Sequence, residues 1–152
     1  MKTRNALVMW ALLLAVAVLL AVRPVSARPD PTHKQKVVVH LSHYPSDKHA
    51  VMMATHFAAG MQEQGAEVTM MLDVDGVRLA DKRPAQKPDA MDEQITKYYE
   101  TFIKDGGKVM VCPHCAEVAG ISAQNLRPGA KIAKDLGELA SLVLAADKTL
   151  DY

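Results

Sequence analysis

Both cysteines of the chain fall in Cys112-Pro113-His114-Cys115, directly behind the short apolar run Lys108-Val109-Met110-Val111. A strand that stops at a thiol delivers that thiol to a sheet edge, and in open α/β sheets ligands gather at the carboxyl ends of the strands. Pro113 suits the first position of a helix. Cys112 is therefore expected at a helix N-cap, open to solvent, where the positive helix end and its free N–H groups favour thiolate over thiol. His114, when protonated, adds positive charge beside it. A thiol with a lowered pKa is a good nucleophile and a good sulfur acceptor. The plainer alternative is two buried small hydrophobes, or an inert disulfide.

Several chemistries use two close cysteines. A zinc site needs four ligands, and the chain has no second cysteine pair. Covalent haem attachment needs histidine immediately after the second cysteine, where Ala116 stands. Cys-Pro-His-Cys is also the active-site tetrad of the periplasmic disulfide oxidase of the thioredoxin fold, which makes a thiol–disulfide oxidoreductase an alternative. That fold carries its tetrad after an early strand and ahead of a long helix. Here most of the chain precedes Cys112, and the small-residue stretch from Ala116 ends at Gly120. The remaining option is a thiol that carries sulfur as a persulfide.

The other soft or basic side chains give a looser pattern. His40 and His43 flank the end of the first apolar run, and His49 and His56 share one side of the following helix with Met53 between them. With the cysteine pair they allow a Cu(I) or zinc reading, since soft sulfur suits Cu(I). Ordinary surface histidine and methionine as core filler is the competing account. His43 is a candidate acid/base or anion-binding group near Cys112. No cofactor is called for, and no resident metal.

Lys2 and Arg4, then the uncharged apolar run from Ala6 to Val22 and the small-residue site Val25-Ser26-Ala27, read as an export signal cleaved after Ala27. A periplasmic or secreted location follows, with no stable membrane span after cleavage. The whole chain holds 18 basic and 17 acidic residues, and all the acidic ones lie beyond Ala27. The mature part is thus slightly acidic, which is no footprint for nucleic acid. Export implies an oxidising compartment, but two cysteines are too few to staple a fold, so apolar packing must supply the core.

Residues 28–35 read as a flexible leader, and 36–152 as one α/β domain. Lys36 to Leu41 is expected as a buried strand around Val37-Val38-Val39. Ser46 or Asp47 caps a helix to Gln64, with Ala50, Ala54, Phe57, Ala58 and Met61 as its apolar face. Glu67 to Leu72 is a second strand, parallel to the first by the right-handed crossover rule. Asp73-Val74-Asp75-Gly76 is a turn lacking the later ligands of a calcium loop. Val77 to Ala80 is expected as a short extended piece, and 81–90 as a surface loop holding Pro84 and Pro88. Asp89 caps a helix to Lys104 with Ile95, Tyr98, Tyr99 and Phe102 inward. Lys108 to Cys112 is the third strand, and Arg127-Pro128-Gly129 a turn. Leu136, Leu139, Ala140 and Val143 mark a last helix, and Lys148 to Tyr152 closes the sheet. The expected architecture is a small three-layer α/β sandwich with a mostly parallel sheet.

The order of short motifs resembles the DsrE/DsrF-like family of sulfur-relay proteins, and within it the YchN-type branch. The matching features are the strand ending in Cys-x-x-Cys, then Gly120-Ile121, the turn at Gly129, Leu136-Gly137-Glu138-Leu139-Ala140, and Ala145-Ala146-Asp147-Lys148-Thr149-Leu150. Asp75-Gly76-Val77 before a Pro-containing loop also fits. The resemblance spans Lys36 to Tyr152. It implies a homotrimer or homohexamer that passes sulfane sulfur between donor and acceptor proteins or small sulfur compounds. It maps the working thiol onto Cys112 and makes Cys115 a branch-specific partner. The glycine-rich first loop of many relatives is replaced here by Ser42-His43-Tyr44-Pro45-Ser46.

Overall fold

Three consecutive valines, Val37 to Val39, are buried on both sides of their strand. A strand covered on both faces belongs inside a parallel sheet. That strand, β1 (Lys36–Leu41), pairs in parallel with β2 (Glu67–Leu72), and β2 with β3 (Lys108–Val111). In this computed structural model, which describes residues 33–83 and 87–152, two further parallel strands complete the sheet: β4 (Ala130–Ile132) beside β3, and β5 (Lys148–Asp151) beside β1. The order is β4-β3-β2-β1-β5, and every strand pairing is parallel. The expected export signal, residues 28–32 of the leader, and residues 84–86 of the Pro-containing loop lie outside the described residues.

Parallel neighbours need crossovers. Helix α1 (Lys48–Glu63) joins β1 to β2, and α2 (Ala90–Lys104) joins β2 to β3. The short α3 (Pro113–Val118) leads to β4, and α4 (Leu136–Leu144) leads from β4 back to β5. The first three connections run outward in one direction, and the fourth crosses back over the whole sheet. Right-handed crossovers therefore put α1 to α3 on one face and α4 on the other. The covered face is the main core. Val39, Met70 and Val109 lie in register across it. Ala54 and Ala58 of α1 and Ile95, Tyr99 and Phe102 of α2 are buried with them.

Local signals fix the helix ends. Asp47 accepts from Ala50 N–H at 2.9 Å. Asp89 and Asp92 form a reciprocal capping box at the start of α2, a feature that stabilises by about 1 kcal/mol. Two expectations need correcting. The apolar face of α1 is Val51, Ala54, Thr55, Ala58 and Ala59, while Phe57 is half exposed and Ala50 and Met61 lie at the margin. Small residues win that face because they let the helix lie close to the sheet. Val74 to Ala80 is a 3₁₀ helix rather than an extended piece. It buries Val77, Leu79 and Ala80, a spacing that one tight turn satisfies and an alternating strand does not.

Candidate functional site

The carboxyl ends of β1, β2, β3 and β5 form one continuous edge, and backbone hydrogen bonds stitch it together. Cys112 N–H donates to Leu72 O at 2.8 Å, Asp73 N–H to Leu41 O at 3.2 Å, and Gly76 N–H to Ser42 O at 3.2 Å. Ser42 N–H donates to Tyr152 O at 3.0 Å, and Tyr152 N–H to His40 O at 2.9 Å. The residue just past each apolar run is therefore held in a fixed place: Cys112 after β3 and Asp73 after β2. His40 and Asp151 sit in register near the ends of β1 and β5.

Cys112 is the N-cap of α3, with Pro113 opening the helix and Ala116 N–H donating back to Cys112 O at 2.9 Å. The cap position is the one expected from sequence; the exposure is not. Cys112 is only 5% exposed and packs in the core with Ala116 and Ile121. The cause is local. After α3 the chain turns back through Gly120, Ile121 N–H donates to Ala116 O at 2.8 Å, and Ile121 is buried in the same core cluster as Cys112. Cys115, one helical turn on, is the half-buried member of the pair. Both thiols are free.

The Cys112 sulfur and the Val74 N–H both lie close enough to the Cys115 sulfur to act on its ionisation. Burial is the main cause that pushes the Cys115 thiol up. The Cys112 sulfur and the charge of Asp73 act the same way, while the Val74 N–H works against them. Ionising Cys115 is thus harder than ionising an ordinary thiol. Val74 reaches it from a left-handed backbone, φ 44°. A β-branched residue pays about 1–3 kcal/mol for that conformation, and such strain concentrates at working sites.

Next to Asp73 stands His40. Its Nδ1 lies 2.7 Å from Asp151 Oδ1 and its Nε2 lies 2.9 Å from Asp73 Oδ1. The second contact is close in distance but off the hydrogen-bond direction, so it acts chiefly by charge. Burial alone lowers the His40 pKa; the hydrogen bond to Asp151, the close Asp73 carboxylate and the charges of both together outweigh it, and the net shift is upward. A raised folded-state pKa gives stability that is full below the ordinary imidazole value of about 6.5 and is lost as pH rises through the folded value. The melting temperature is therefore expected to fall as pH is raised from about 6 upward. His40→Gln removes that part of the slope, and parallel thermal melts of the two proteins measure it.

The remaining candidates stay apart. His114 is exposed on α3, and His43 is exposed with its Nδ1 2.8 Å from Ser42 Oγ. His56 stacks on Tyr98 with ring centroids 4.4 Å apart, and His49 is exposed. Among the described residues no three His, Cys, Asp or Glu side chains converge as a metal-holding group. A cavity of about 730 Å³ does open elsewhere, between Tyr44, Asp92, Tyr99 and Arg127. Some of its polar groups are paired with one another: Tyr44 donates to Asp92 at 3.1 Å, Tyr99 to Pro128 O at 3.0 Å, and Arg127 to Thr96 at 3.2 Å. The Asp73–His40–Asp151 row was not foreseen. Its one sequence signal is that His40 and Asp73 both stand at the polar limit of an apolar run.

The DsrE/DsrF-like family model matches residues 35–152. The chain belongs to the DsrE/DsrF-like family. Among solved structures, Escherichia coli YchN superposes with a TM-score of 0.65 at 27% identity, covering 79% of this chain and 100% of YchN. MTH1491 of Methanobacterium thermoautotrophicum shares the fold at 11% identity, with a TM-score of 0.61 over 78% of this chain and 100% of its own. An uncharacterized protein of Methanopyrus kandleri, MK0008, is 27% identical over 116 residues, 76% of this chain and 93% of its own length. Family membership brings with it a sulfur-relay kind of function. The α/β fold with its five-stranded parallel sheet matches that of YchN.

Proposed function

We propose that this protein is an exported sulfur carrier in which Cys112 holds a sulfane sulfur as a persulfide and passes it to an acceptor thiol. The observation that carries this reading is the placing of Cys112 at the end of β3 and at the N-cap of α3, with Cys115 one helical turn on. A thiol there meets the free N–H groups of the helix start, and a second thiol stands within reach to resolve a persulfide.

The steps balance without a cofactor. Cys112 thiolate attacks the outer sulfur of a donor persulfide or polysulfide. A new S–S bond forms, the donor's S–S bond breaks, and its electron pair leaves on the donor thiolate or the shortened polysulfide. An acceptor thiolate then attacks that outer sulfur, and Cys112 departs as thiolate. With no acceptor at hand, Cys115 can lose its proton and attack the inner sulfur, which closes a Cys112–Cys115 disulfide and releases hydrosulfide. The slight exposure of Cys112 suits a small terminal sulfur and disfavours bulky electrophiles.

The working form in this reading is a homotrimer or homohexamer. Val74 is 62% exposed and Val118 is 76% exposed beside the cysteine pair, and Leu136 and Leu144 of α4 are 63% and 87% exposed. Such apolar surface on a small domain favours burial against another copy. Location in the periplasm or outside the cell rests on the N-terminal signal. No helix among the described residues is long and apolar enough to cross a membrane.

The test is the intact mass of reduced protein after treatment with polysulfide. A gain of about 32 Da, one sulfur atom, is expected, and an excess of small thiol should remove it and become persulfidated itself. A protein that gains no sulfur, or holds it against excess thiol, is not a carrier.

A further inference from the structure

We propose that His40 is a positioning residue for the thiol pair: bracketed by Asp151 and Asp73, it holds the Asp73–Val74 turn and offsets the Asp73 charge, and so sets the reactivity of Cys115. The inference rests on the reading of Cys112 and Cys115 as the working pair and says how that pair is tuned.

The connection is short and made of named contacts. Asp151 closes on His40 Nδ1 at 2.7 Å, and His40 Nε2 faces Asp73 Oδ1 at 2.9 Å. Asp73 follows Leu72, whose carbonyl accepts from Cys112 N–H at 2.8 Å, so the Asp73–Val74 turn lies against the start of the helix that carries Cys115. From there the Asp73 charge, like that of a Cys112 thiolate, opposes ionisation of Cys115, and the Val74 N–H favours it. The groups facing His40 are Asp73 from the end of β2 and Asp151 from β5. His43, on the segment that follows, is turned to Ser42.

The arrangement has a physical purpose. An aspartate beside a thiol suppresses the thiolate. Asp73 opens the turn that brings the Val74 N–H towards the sulfur through its backbone, since its side chain makes no capping bond there. A cation on the far side of the carboxylate, as His40 is when protonated, offsets the charge without disturbing that backbone. It cancels much of the negative field at Cys115 and leaves the N–H in place. The left-handed Val74 backbone is the second sign that the turn is held against its own preference, and His40 and the bond from Asp73 N–H to Leu41 O are what hold it. When His40 loses its proton, the offset goes and Cys115 becomes harder to ionise.

The test is alkylation of the reduced full chain with limiting iodoacetamide, read separately for Cys112 and Cys115 by peptide mass over pH 6–9. His40→Gln is expected to slow Cys115 about threefold near neutral pH and move its profile to higher pH. In an Asp73→Asn background the same substitution should have little effect, because its route to the sulfur is gone. Asp151→Asn, at a side chain 75% exposed, should slow Cys115 in the same direction, and it decides the matter if His40→Gln does not fold. A merely structural role gives the opposite sign: a loosened edge exposes both thiols and speeds both. Faster alkylation, an unmoved Cys115 profile in the folded variants, or an equal effect with and without Asp73 overturns the proposal. Alkylation needs no sulfur donor, so it stands or falls independently of persulfide formation.

Discussion

Gly76→Ala should destabilise the protein by about 3 kcal/mol or more, among the largest effects of any single methyl group added to this chain. A Cβ at this position would sit 2.1 Å from Leu41 O and 2.7 Å from Leu41 C. These are backbone atoms at the end of β1, so no side chain can swing aside. Relief requires moving the turn away from β1, which breaks the bonds from Asp73 N–H to Leu41 O and from Gly76 N–H to Ser42 O. The same movement withdraws Val74 from Cys115. Urea denaturation should show the loss of stability, and thiol alkylation should show the pair disturbed under conditions where the variant remains folded. Gly60→Ala is the matched control. It lies in α1 with nothing within 4 Å of the added atom, and alanine should stabilise a helix interior there by about 0.5–1 kcal/mol.

The second large effect separates the two cysteines. Cys115→Ser should still accept sulfur and should hold it longer, because no internal thiol remains to expel hydrosulfide. Cys112→Ser should fail to accept sulfur stably, although Cys115 is the more exposed of the two. The expectation runs against simple accessibility, which makes it informative. If access governed the chemistry, Cys115 would carry the sulfur. If ionisation governs it, Cys115, whose thiol burial pushes up, is disfavoured. The strong asymmetry expected, near-complete adduct in one variant and none in the other, leaves little room for a mixed outcome.

Much of this site was legible in the sequence because it depends on local rules. The strand limits at Leu41 and Leu72, the caps at Asp47 and Asp89, and the placing of Cys112 before a proline-initiated helix all follow from neighbours in the chain. Three features were not. Strand β4 is only Ala130–Ile132, with Lys131 at its centre, too short and too polar to stand out from the turn before it. The burial of Cys112 comes with the return of the chain after α3, which puts Ile121 in the same core cluster. The Asp73–His40–Asp151 row exists because the sheet order puts β1 between β2 and β5. No spacing along the chain encodes that adjacency; the pairing of β5 on the far edge creates it.

The most direct measurement is the intact mass of Cys112→Ser and Cys115→Ser, each reduced, treated with the same polysulfide and quenched together. The account predicts a gain of about 32 Da on Cys115→Ser and no such gain on Cys112→Ser. A sulfur atom that remains bound to Cys112→Ser, with none on Cys115→Ser, would contradict it.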